Sequence, residues 1–223
     1  MKRSEINTII DNSIKLIEKH KFLIPSFSYW SPEDWEREKS ECQEIKDNML
    51  GWDITDFGSN DFASRGLVML TLRNGNQHDR EKYPKLYAEK LLITEEGQET
   101  PCHFHWSKME DIINRGGGVL IVELWNSTSD EKLADTPVSY SMDGKRYTTE
   151  PGVPIEVHPG QSITLETRTY HRFYGKKGTG TILLGEVSSV NDDTVDNRFL
   201  EELPRFPAII EDEKAKYPLI TEY

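Results

Sequence analysis

From residue 66 onward the chain is a succession of short apolar runs: "GLVMLTLR", "LYAEKLLIT", "PCHFHW", "GVLIVELW" and "TILLGEV". Each has the length of a strand, and Gly, Asn, Pro or charged residues separate them, so a turn is available at both ends of each. No long helical pattern stands between them. That argues against βαβ units and for an antiparallel barrel or a double-sheet jelly roll. In "PVSYSMDGKRYTTEPG" a hairpin is expected to turn at Asp143 and Gly144, because an Asp-Gly pair accepts the positive φ angles of a two-residue turn. "IEVHPGQSITLETRTYHRFYG" then supplies another strand, a Pro-Gly turn and two more short strands.

Ahead of these runs, Ile6, Ile9, Ile10, Ile14 and Ile17 recur three or four apart, which makes one apolar stripe on an amphipathic helix. A second helix is expected from "SPEDW": Ser31 caps it, Pro32 suits its first position and Asp34 favours its positive end. Trp35, Cys42, Ile45 and Met49 are its expected inward residues. The reading is one mainly β domain: a helical extension over residues 1–60, the β-barrel over 61–190, and a Pro-broken segment over 191–223 that wraps the barrel or a partner subunit.

Acidic residues outnumber basic ones, 39 to 27, giving a formal charge of −12 with no sizeable basic cluster, so a nucleic-acid backbone is repelled. Apolar stretches of secretory or membrane-spanning length are not found, and the expected location is the cytoplasm, with no membrane partner. Two cysteines, Cys42 and Cys102, build neither a disulfide scaffold nor a CxxC pair and are read as reduced thiols, Cys102 as a redox-sensitive candidate.

The densest chemistry lies in "CHFHWSKMEDI". His103 and His105 are two apart in an apparent strand, so both side chains take one face and Phe104 the other. Glu110 follows across a turn that can bring a carboxylate back toward the imidazoles, a donor mixture suited to a divalent first-row ion. The competing reading is an ordinary HxH pair and an exposed turn glutamate. His171, in "TRTYHRFYG", is a fourth candidate that barrel closure can carry alongside, while His78 and His158 read as loop and turn residues.

"GQETPCHFHWSKMEDIINRG" resembles the first cupin motif, a glycine, an HxH pair and a following glutamate, and "HPGQSITLETRTYH" resembles the second. The interval from Pro159-Gly160 to His171 is longer than that pattern has. The resemblance implies a cupin-type antiparallel β-barrel, a jelly roll, with His103, His105, Glu110 and His171 as metal ligands. A longer stretch of likeness, "HFHWSKMEDIINRGGG" with "LLGEVSSVNDDTVDNRF" and the N-terminal helices, resembles the bacterial D-lyxose isomerase family of cupins. That likeness implies interconversion of D-lyxose and D-xylulose, with D-mannose and D-fructose as a related pair, through a cis-enediol intermediate. It also implies one divalent metal per subunit, manganese foremost with cobalt, iron, nickel or zinc as alternatives, and a cytoplasmic homodimer acting on a small free sugar.

Such a reaction needs a group that moves a proton between neighbouring carbons. Glu186 shares a strand face with Ile182 and Leu184, so it reads as an inward carboxylate among apolar neighbours; a rim position or an arginine partner is the alternative. Lys108, between the HxH pair and Glu110, either donates to a sugar oxygen or faces solvent. Lys90, on a face with Ala88 and Leu92, and the polar residues Asp193, Asn197 and Arg198 are the candidates for sugar hydroxyls. Trp106, Trp125, Tyr170 and Phe173 either stack on the sugar or belong to the core. A cupin dioxygenase, a phosphosugar isomerase and a non-catalytic sugar-binding cupin are the competing functions.

Overall fold

Three α-helices precede the sheets in the computed structural model, which describes residues 1–223. Helix α1 (Arg3–Lys19) buries Ile6, Ile10, Ile14 and Ile17, the stripe that the spacing predicts. The single second helix does not form. Instead α2 (Pro32–Arg37) ends early and α3 (Gln43–Asp47) follows after a break. Ser31 and Asp34 cap α2 reciprocally as expected. The charged stretch between Trp35 and Cys42 has no apolar side chain to bury, and short helices need tertiary packing to persist. Trp35 and Cys42 are nonetheless buried, whereas Ile45 and Met49 are only half-buried.

Thirteen strands form two antiparallel sheets. The larger runs, in spatial order, through β1 (Gly51–Thr55), β2 (Leu67–Arg73), β3 (Tyr87–Thr94), β12 (Ile182–Ser189), β5 (Glu110–Gly117), β10 (Ser162–Leu165), β7 (Val138–Met142) and β8 (Lys145–Thr149). The smaller runs through β13 (Asn197–Phe199), β4 (Glu99–His105), β11 (Thr169–Gly175), β6 (Leu120–Asn126) and β9 (Ile155–Val157). The expected barrel is thus realised as a double-sheet jelly roll in which the sheets are not hydrogen-bonded into a closed ring. Their inner faces meet in one apolar layer, with Met69, Leu92, Ile112, Ile163 and Leu184 from the larger sheet and Leu120, Val122, Leu124 and Phe173 from the smaller.

The outer face of the larger sheet is covered too. Leu70, Leu91, Ile93 and Leu183 pack under the isoleucines of α1. Strands buried on both faces lose the polar-apolar alternation of a half-exposed strand, which is why "LVML", "LLI" and "ILL" read as unbroken apolar runs. The hairpin turns where expected, Asp143 and Gly144 both having positive φ (49° and 76°) between β7 and β8.

Two boundaries move. β1 begins at Gly51, inside the segment expected to be a helical extension, and β13 lies inside the segment expected only to wrap. The rest of the C-terminal segment wraps its own chain: the buried Arg3 guanidinium pairs with Glu211 at 2.7 Å and with Glu222, and Ile220 donates to the carbonyl of Trp52 at 2.9 Å.

Candidate metal centre

His103 and His105 project from β4 to the inner face, and the antiparallel register sets His171 of β11 directly opposite His103. All three rings are buried, and one nitrogen from each lies within 4.8 Å of the others. Glu110 belongs to the other sheet. It is the first residue of β5, and the turn from Trp106 to Met109 carries the chain from one sheet to the other. Glu110 Oε1 consequently sits 3.3 Å from His105 Nε2 and 3.6 Å from His171 Nε2.

The hydrogen bonds behind the rings prepare the donors. His103 Nδ1 donates to the Pro101 carbonyl at 2.7 Å and His171 Nδ1 to the Thr169 carbonyl at 3.0 Å, which leaves both Nε2 lone pairs facing inward. Those two nitrogens are 3.1 Å apart. Burial, joined by the neighbouring imidazoles, pushes His103 well below the usual histidine range and His171 down to about 4, so neither ring gains a proton to relieve the contact near neutral pH. Both ring nitrogens of buried His105 lack a hydrogen-bond partner. Three convergent imidazoles and one carboxylate, with the Nε2 lone pairs of His103 and His171 opposed and no proton between those two, fit a divalent cation.

The turn is held by a residue that the sequence reading passed over. Asp196 accepts from Ser107 N at 2.9 Å, Ser107 Oγ at 2.6 Å and Lys108 N at 3.1 Å. Asp196→Ala removes all three bonds while keeping every candidate ligand, and the expected result is roughly 10–100-fold weaker metal retention, the scale of lost outer-shell support. Competition against a chelator measures it, and unchanged affinity would show the turn to be self-supporting.

Lys108 does not face solvent. Its buried Nζ lies 2.5 Å from Glu110 Oε2, 3.1 Å from Glu186 Oε1 and 4.0 Å from Asp193. Burial works against its charge, but the three carboxylates outweigh burial and raise its pKa. The same contacts hold Glu110 well below the usual carboxylate range, burial being overcome by Lys108 and the histidines. Glu186 lies inward on β12 as its alternation implies, but its neighbours are not only apolar, and its cationic partners are lysines where the alternative reading named an arginine. Lys90, directly opposite in the β12–β3 register, brings its Nζ to 3.3 Å, so two ammonium groups flank the carboxylate. Lys90 also donates to Asp193 at 2.7 Å; with burial overcome by Lys90, Lys108 and Arg205, Asp193 is held ionised.

The polar residues after 190 divide. β13 pairs with β4 so that Asn197 stands opposite His105 and Phe199 opposite His103, and both line the pocket in front of the histidines. Arg198 stands opposite Phe104 and its side chain goes the other way, to Glu131 at 2.7 Å. The expectation that Arg198 contacts substrate is therefore corrected, because strand alternation sends it to the opposite face. Of the aromatic candidates, Phe173 lines the pocket, Tyr170 is buried against Phe104, and Trp106 is partly exposed. Arg205 completes the wall. It is paired with the buried Asp53 (Nη2 to Oδ2, 2.5 Å), and a lone arginine in "LPRFP" carries no local signal of that placement.

Cys102 lies on β4 beside His103 but is not in the pocket lining. Burial pushes its thiol up to about 12, so the redox-sensitive reading is corrected: little thiolate is available to react. Native protein treated with iodoacetamide at about pH 8 should remain unmodified at Cys102 while the denatured chain is alkylated. Rapid labelling of the native thiol, seen by mass spectrometry, would contradict this.

Comparison with known proteins adds three findings. The family described as D-lyxose isomerase matches residues 1–223. A D-lyxose/D-mannose isomerase of Escherichia coli O157:H7 and one of Serratia proteamaculans are each 46% identical over 224 residues, covering 100% of this chain and 98% of theirs. Among solved structures, the L-ribose isomerase of Cellulomonas parahominis superposes with a TM-score of 0.62 at 15% identity, covering 94% of this chain and 98% of its own, a likeness of fold.

Proposed function

The chain belongs to the D-lyxose isomerase family of sugar aldose-ketose isomerases, and on that premise we propose that it interconverts D-lyxose and D-xylulose, and D-mannose and D-fructose, as a D-lyxose ketol-isomerase. The observation that carries the reading is Glu186, a buried carboxylate set between Lys90 and Lys108 in a pocket that it shares with His103 and His105, two of the three converging imidazoles. His103, His105, Glu110 and His171 would hold one divalent cation, manganese foremost, which when bound supplies Lewis acidity at the sugar's carbonyl and neighbouring hydroxyl oxygens.

The chain's own residues account for the proton movements. Isomerisation moves one proton from C2 to C1 and a second from the C2 hydroxyl to the C1 oxygen, through a cis-enediol in which the oxygens carry developing charge. Glu186 is the group that takes and returns the first proton, and its place in the lining of the same pocket, on the larger sheet where the histidines belong to the smaller, supports that role. Lys108, with its ammonium already shared by Glu110 and Glu186, orients that carboxylate and offers a donor to the sugar oxygen that becomes negative. Lys90 and Asp193 brace Glu186 from behind, and Asn197 offers an amide to the hydroxyls farther along the sugar.

A free sugar fits better than a phosphorylated one. Lys90, Lys108 and Arg205, the cations around the pocket, are each already matched by a carboxylate, which leaves no unpaired cluster for phosphate. The family resemblance supports a homodimer in the cytoplasm, and sedimentation of the purified protein tests the dimer. Protein loaded in turn with Mn, Co, Fe and Ni should convert D-lyxose to D-xylulose without consuming O₂. Absence of turnover with all four would reject the isomerase reading, and O₂ uptake would favour a dioxygenase.

A further inference from the structure

Glu186 is 2% exposed and Lys108 3%, so a sugar reaches the groups proposed to work on it only when some part of the pocket wall moves. Most of that wall is fixed. His103, His105, Glu110, Glu186 and Phe173 stand on strands within hydrogen-bonded sheets, and the turn carrying Lys108 is fastened by Asp196.

Arg205 enters the lining from a segment built differently. It belongs to "EELPRFP", residues 201–207, which make no main-chain hydrogen bond with one another or with any other segment. Pro204 and Pro207 have no N–H to donate, which works against this stretch continuing β13 as a strand. The segment is pinned at both ends: Leu200 N donates to the Cys102 carbonyl at 2.9 Å, and the amino group of Met1 donates to the Ala208 carbonyl at 2.9 Å. Between the pins only side chains hold it. Leu203 packs on the core between the sheets, Glu201 meets Arg65 at 3.2 Å in a pair open to solvent, and Arg205 turns inward to Asp53. An ion pair in water contributes little, so the inward pair is the stronger of the two polar ties.

Asp53 is buried on β1 and stands directly opposite Met69 of the inner apolar layer, where a carboxylate is costly unless paired. Arg205 supplies the pair with both prongs of its guanidinium, Nη1 donating to one carboxylate oxygen at 3.4 Å and Nη2 to the other at 2.5 Å. We propose that residues 200–207 are a strap that swings aside to admit the sugar, and that Asp53 is a positioning residue which latches the strap shut by holding Arg205. The sugar in this proposal rests on the reading of the pocket as an isomerase site; the latch does not.

Asp53→Asn keeps the shape of the side chain and removes its charge. With the latch weakened, the closed form is only fractionally populated, and KM for D-lyxose rises by the inverse of that fraction, expected at about tenfold. Metal content and kcat should change little, because bound sugar draws the strap closed again. Asp53→Glu, which restores the carboxylate, should recover most of the KM. A second readout needs no turnover. Trypsin cleavage of the Arg205–Phe206 bond, followed by mass spectrometry, tracks the open population and should quicken about tenfold in Asp53→Asn without a matching rise at other sites. Arg205→Lys keeps a cleavage site but gives up the two-pronged bond; it should behave likewise, and it serves if Asp53→Asn does not fold. Cleavage unchanged in both variants overturns the proposal, as does a kcat that falls in step with metal content. If the unaltered protein turns over no sugar, the isomerase reading fails and cleavage after residue 205 alone decides the strap.

Discussion

His171→Ala is expected to abolish stoichiometric metal binding and, with it, turnover. The substitution removes one of the two Nε2 atoms that face each other at 3.1 Å and takes away the only proposed ligand contributed by β11. The remaining donors, His103, His105 and Glu110, still converge, so weak residual binding is expected, on the order of 100-fold poorer or worse. Thermal unfolding offers a readout independent of activity. A metal present at about a hundred times its Kd stabilises the unaltered protein by about 2.7 kcal/mol, and the variant should lose nearly all of that increment. His158→Ala is the control, because His158 is exposed and paired only with Glu156. Elemental analysis showing one metal per chain in His171→Ala would remove His171 from the ligand set.

Glu186→Gln is expected to separate metal binding from chemistry. The amide keeps the shape of the side chain and its place between Lys90 and Lys108 but cannot accept and return a proton. Metal content should be unchanged, since Glu186 is not among the ligands, while kcat falls by about 10³-fold or more and KM moves little. Some stability is lost, because two buried lysines give up a carboxylate; Glu110 and Asp193 still compensate them, so the fold should hold. Circular dichroism at the assay temperature checks that the loss is chemical. A variant that keeps full activity would assign proton transfer elsewhere.

The fold was largely legible because its signals are local. Strand-length apolar runs, the Asp143-Gly144 turn and the isoleucine stripe each report a backbone preference or a buried face within a few residues. The helix after Ser31 was misjudged where that locality ended: a good cap starts a helix, but whether it continues depends on what its next turn packs against. Among the candidate site residues, period-two alternation put His103 with His105 and Glu186 with Ile182 and Leu184 on inward faces. Applied to β13, the same alternation would have separated Asn197 from Arg198, but three residues in a polar loop give no sign of being a strand until β4 pairs with them.

What the sequence determined by itself was which residues can bind and which faces they take, because covalent geometry fixes the direction of each side chain relative to its strand. Only the tertiary structure decided what those faces meet. The crossing from β4 to β5 sets Glu110 against histidines of the other sheet, and the β12–β3 register sets Lys90 against Glu186. The C-terminal segment brings Arg205 to Asp53, 152 positions away. Burial and charge interactions depend on distance in space and not on separation along the chain, so a lysine whose turn position left solvent open becomes, at position 108, the buried cation between Glu110 and Glu186.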